Sequence, residues 1–143
     1  MDNTRIREAI AALVGKAPWD VRLGVGSFLT LEFGKHVVQA GERRQHGEWH
    51  LWLYMCNWRL ESPSGVLVGS SDERETIEKA LNTMHWGSVS EAIVDEPALD
   101  LRLSFASGHR LKTFSSESTG EDQWILYTPD GMAISVNGRG HSR

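Results

Sequence analysis

His46, Glu48 and His50 stand two residues apart in a chain of 143 residues. On a strand, positions i, i+2 and i+4 share one face, so two imidazoles and a carboxylate there could converge on zinc or iron. A further ligand would have to come from elsewhere, such as His36, His85 or His109. The competing reading puts His46 in a loop and makes His50 an amphipathic sheet residue. That reading is the one adopted, so no metal and no cofactor are expected.

Other reactive residues are scattered. Glu32, Glu48, Asp95, Glu96 and Asp100 could include a carboxylate pair of the kind in which one group donates a proton while the other stays charged. Glu32 and Glu48 alternate with apolar residues on what read as neighbouring strands, so they could meet across them. Cys56 could be a nucleophile activated by His50 or His85. Its neighbours Met55 and Trp58 instead suggest a buried, inert thiol. Gly69-Ser70-Ser71 is not a nucleophile elbow, and Gly24-x-Gly26 lacks the third glycine and following helix of a dinucleotide fingerprint.

The strongest signal is aromatic. Half of the six tryptophans lie within residues 49–58, beside Tyr54, Met55 and the single cysteine. The run reads as one long strand over 48–60, apolar on both faces and crossing the middle of a sheet. One face would carry Trp49, Leu51, Leu53 and Met55; the other would carry His50, Trp52, Tyr54, Cys56 and Trp58. If helices cover only one face, the other needs a second sheet layer or a partner. Tryptophan, tyrosine and arginine anchor interfaces and pockets, which makes Trp52, Tyr54, Trp58 and Arg59, with His50, candidate ligand- or partner-binding residues.

The elements that must position these residues follow from periodicity. Ile6, Ala9, Ile10 and Leu13 predict a helix over 3–14, capped by Asn3 or Thr4 and stopped by Gly15. Ile77, Ala80, Leu81 and Met84 predict a second over 72–85, with Ser70 and Glu73 at capping-box spacing. Period-two patterning predicts strands over 19–23, 28–33, 48–60, 66–68, 89–94, 99–105, 110–114, 124–127 and 132–136. Residues 35–47 read as a loop or irregular strand extension. The short connections imply a fold that is α+β, with a largely antiparallel, curved sheet and two helices packed on one side. Residues 1–136 read as one domain and 137–143 as a mobile tail.

Composition narrows the function classes. A net charge of −4 argues against a general nucleic-acid binder, leaving Arg43-Arg44 and the Arg139 to Arg143 tail as local basic patches. No stretch approaches the roughly 18 apolar residues of a membrane span, and no membrane partner is expected. One unpaired cysteine suits a reducing cytoplasm.

The segments GSFLTLEFG (26–34), GEWHLWLYMCNWR (47–59) and TPDG (128–131) resemble those of a small uncharacterised bacterial α+β domain family. More loosely, size, acidity and α+β pattern are similar to immunity proteins of bacterial toxin systems. That second likeness implies a protein-binding role. The expectation is a cytoplasmic binding module rather than an enzyme, one that engages a protein partner or itself, with the edge strand near Met132 as one route to a homodimer. The alternative is a small-molecule or metal-dependent enzyme using a His/Glu site at the start of the aromatic strand.

Overall fold

The computed structural model describes residues 3–38 and 45–142. Two helices, α1 (Thr4–Ala11) and α2 (Arg74–Thr83), accompany ten strands. In chain order these are β1 (Asp20–Leu23), β2 (Leu29–Val37), β3 (His46–Leu53), β4 (Asn57–Ser62), β5 (Gly65–Gly69), β6 (Val89–Asp95), β7 (Asp100–Phe105), β8 (Arg110–Phe114), β9 (Asp122–Tyr127) and β10 (Ala133–Asn137). The strands form two five-stranded antiparallel sheets, ordered β1-β2-β3-β9-β10 and β5-β4-β8-β7-β6. The α+β, largely antiparallel fold is as expected.

The aromatic run is where expectation and structure part. Residues 48–60 are two strands in two sheets: β3 is central in the first, and β4 lies second from the edge of the other. The change of sheet is written in the burial phase. Leu51 and Leu53 point inward, and then Cys56, Trp58 and Leu60 do, so the inward set moves from odd to even residues. A strand that leaves one sheet for another must bend at such a corner. Backbone hydrogen bonds from Tyr54 and Met55 to Gln123 and Asp122 carry the chain into the bend.

Inward side chains of both sheets and both helices make one core. Leu29, Leu31, Phe33, Leu51, Leu53, Trp124 and Leu126 come from the first sheet, and Trp58, Leu60, Leu101, Leu103 and Leu111 from the second. Ile6 and Ile10 of α1 and Ile77 and Leu81 of α2 complete it. Helix α1 packs on β6, and α2 spans β1 and β5, one strand from each sheet.

The expected caps are not used as caps. Asn3 occupies the N-cap of α1, but its side chain donates to Glu96 at 2.8 Å. Glu73 is the N-cap of α2 and no capping box forms; the Ser70 hydroxyl instead accepts from the Trp58 amide at 3.1 Å. These side chains have stronger employment in tertiary contacts. Arg74, at the start of α2, donates to the carbonyls of Leu23, Gly24 and Gly26 at 3.2, 2.7 and 3.2 Å, holding the β1–β2 turn.

The segment 137–143, expected to be a mobile tail, makes contacts with the rest of the chain as far as Ser142. Gly138 donates to the Glu121 carbonyl, its own carbonyl accepts from the Ser115 hydroxyl, and Val136 bridges to Ser142. Strand β10 is nonetheless an edge strand. Arg43, Arg44 and Arg143 lie outside the described residues.

Candidate functional site

The outer face of the first sheet carries a groove of about 990 Å³. Alternation makes it: on β2, Leu29, Leu31 and Phe33 face the core while Thr30 and Glu32 face out. On β3, Leu51 and Leu53 face in while His50 and Trp52 face out. Antiparallel register then sets Glu32, His50 and Tyr127 in one row across β2, β3 and β9, with Thr30 beside Trp52 in the next. The β1–β2 turn with Phe28 and the β9–β10 turn with Met132 are the groove's two lips.

At the floor, Glu32 is a 5% exposed carboxylate. Its Oε1 accepts from the backbone N–H of Gly47 at 2.9 Å and from Nδ1 of His50 at 2.6 Å. The carboxylate can only accept, so the imidazole proton sits on Nδ1. In the neutral ring Nε2 is then an acceptor, it has no hydrogen bond among the described residues, and His50 lines the groove.

Backbone geometry fixes this pair. A Cβ on Gly47 would lie 2.4 Å from the Phe33 carbonyl oxygen and 2.6 Å from its nitrogen, so only glycine lets β3 approach this closely. Opposite it, β2 carries a bulge between Phe33 and His36, with Gly34 at φ +76° supplying the left-handed residue. The bulge turns the Lys35 amide onto Glu48 Oε1 at 3.1 Å.

Aromatic rings wall the groove. Phe28, Trp52 and Tyr54 form a cluster with centroid separations of 6.2, 4.5 and 4.8 Å. The Tyr127 ring lies 5.6 Å from that of His50.

Of the five expected binding residues, His50, Trp52 and Tyr54 line the groove, and two do not. Trp58 is a core residue whose indole N–H donates to the Ser27 carbonyl at 2.7 Å, because the corner after Tyr54 reverses its face. Arg59 is exposed on the second sheet, where it pairs with Glu61 at 2.7 Å. His46 and Glu48 do line the groove. Among the described residues, however, no three His, Cys, Asp or Glu side chains are grouped to hold a metal ion. Glu48 turns to the Lys35 amide, and Nδ1 of His50 is committed to Glu32.

Asp95, Glu96 and Asp100 flank the β6–β7 turn of the other sheet. Glu96 bonds to Asn3 and to Arg7, which hold its carboxyl below the usual range, while burial pushes that of Asp100 up. Cys56 is buried, and that burial, with the Asp100 charge adding, pushes its thiol up to about 12. It cannot serve as a thiolate nucleophile near neutral pH.

Phe28, Tyr127 and the Glu32–His50 pairing are what the sequence did not single out. Their signal is faint: polar or aromatic residues at the outward positions of three strands that become neighbours only through register.

No family model, curated protein or solved structure matches this chain. What remains is the chemistry of the groove. A carboxylate-oriented imidazole can accept a hydrogen bond or a proton at Nε2, and the surrounding rings can hold an apolar body.

Proposed function

We propose that this chain is a binding module that takes a small, largely aromatic organic molecule into the groove of the first sheet. One observation carries the reading. A buried carboxylate is dedicated to orienting a single imidazole on the floor of an aromatic-walled groove. Burying an ionised carboxylate is unfavourable unless its partners are well placed, and its partners here are a groove residue and the backbone of β3. The volume falls at the upper end of the range of small-molecule sites, and few polar groups converge among many rings, as such sites require. A reducing cytoplasm is the compartment its one buried thiol fits. No helix among the described residues is long and apolar enough to cross a membrane.

A thermal-shift screen of small aromatic molecules tests the proposal. A ligand at about a hundred times its dissociation constant adds about 2.7 kcal/mol to stability. The resulting rise in melting temperature should vanish in Trp52→Ala, whose own melting temperature stays near that of the wild type. Shifts that persist in Trp52→Ala, or a screen without a single stabilising molecule, would count against the groove.

The same dyad supports a second reading, in which His50 acts as a general base in an enzyme of small aromatic substrates. Turnover of a groove ligand, lost in His50→Ala, would favour it over simple binding.

A further inference from the structure

We infer that the groove selects aromatic ligands bearing a free hydroxyl, whose O–H donates to Nε2 of His50. This rests on the groove being a ligand site and adds to it the class of ligand.

Three features lead to a hydroxyl. The Gly47 amide and His50 Nδ1 both donate to one oxygen of Glu32, which places a proton on Nδ1 and makes Nε2 the acceptor of the neutral ring. Among the described residues, two other charged groups lining the groove have partners: Arg22 pairs with Asp20 at 3.0 Å, and Glu48 accepts from the Lys35 amide. The half-buried acceptor of His50 therefore faces whatever lies in the groove, with Tyr127 on one side and the His46 ring at 6.0 Å on another.

The spacing favours an aromatic body. His50 and Trp52 are two residues apart on one face of β3, on the order of 7 Å. That is the reach of a two-ring aromatic laid against Trp52, Tyr54 and Phe28 with its substituent at His50. An ether at the same position has no proton to give, and would leave Nε2 stripped of water without a donor.

Umbelliferone and its methyl ether are probes that differ in this proton. Each is titrated against the wild type, His50→Ala and Trp52→Ala by following ligand fluorescence. The wild type should prefer the hydroxyl compound by about tenfold, the worth of one modest hydrogen bond. His50→Ala should show no preference between the two probes, while Trp52→Ala weakens both. Should His50→Ala fail to fold with Glu32 left buried, Glu32→Gln/His50→Leu serves instead, since the Gln carbonyl still accepts from Gly47. Equal binding of both probes by the wild type, or a preference that survives loss of His50, overturns hydroxyl selection and leaves the groove standing. Binding of neither probe overturns both.

Discussion

Replacing Gly47 by alanine should damage fold and site together, and the size of the effect can be worked out. The added Cβ would meet the Phe33 oxygen at 2.4 Å, the Phe33 nitrogen at 2.6 Å and the Trp49 oxygen at 2.7 Å, all of them backbone atoms. No side chain can swing aside, so β3 must move from β2 by roughly 1 Å to restore ordinary contact. Overpacking of this kind costs about 1–3 kcal/mol. The same movement lengthens the 2.9 Å hydrogen bond from the Gly47 amide to the Glu32 carboxylate, a charged-acceptor bond worth about 1.5–3 kcal/mol. Part of each loss is shared, so a net destabilisation of about 3 kcal/mol is expected, a drop in urea midpoint of about 1.5–2 M at ordinary slopes. Gly26→Ala is the control: its φ is +60° with nothing within 4 Å of the new Cβ, so only backbone strain of about 1–2 kcal/mol applies. Urea unfolding of both variants, followed by tryptophan fluorescence, decides the matter. If Gly47→Ala loses no more stability than Gly26→Ala, the close approach of β2 and β3 is wrong, and so is the anchoring of Glu32.

Trp58→Phe should lose about 1–3 kcal/mol by thermal denaturation, through its buried volume and its bond to Ser27, while Trp52→Ala loses less than about 1 kcal/mol. Cys56 should resist alkylation in the folded chain near neutral pH and react only on unfolding. Its thiol keeps its proton to about 12 when folded against 9.0 for an unburied cysteine, so the folded state binds more protons between those values and stability falls as pH rises across that window. The slope is at most about 1.4 kcal/mol per pH unit and should be absent from the Cys56→Ala curve. Deleting residues 138–143 removes the bonds of Gly138 to Glu121 and Ser115, and should lower stability by about 1–3 kcal/mol in the same denaturation assay.

Much of the fold is legible because alternation and helical spacing act locally. Nine expected strands become ten, and the difference is the single run 48–60. Its division was also encoded: the inward set changes from Leu51 and Leu53 to Cys56 and Trp58. Counting aromatic residues hides that change of phase; following burial parity reveals it. The docking of the tail was not legible, because it is made by backbone groups and small side chains that leave no apolar pattern. The Glu32–His50 pair was half legible. Both residues were candidates, but their meeting depends on a register set by the bulge at Gly34, which no local pattern announces. For the same reason Glu48, the nearer carboxylate in sequence, is not the partner of His50.

The most direct test of the site is the long-range proton–nitrogen NMR spectrum of the His50 ring, recorded before and after umbelliferone is added. The expected result, at a pH where the ring is neutral, is a proton on Nδ1 and a bare Nε2 whose resonance moves on addition while the amides of Thr30 and Trp52 move with it. A ring protonated at Nε2 instead, or ligand-induced shifts confined to the second sheet around Arg59 and Leu60, would contradict it.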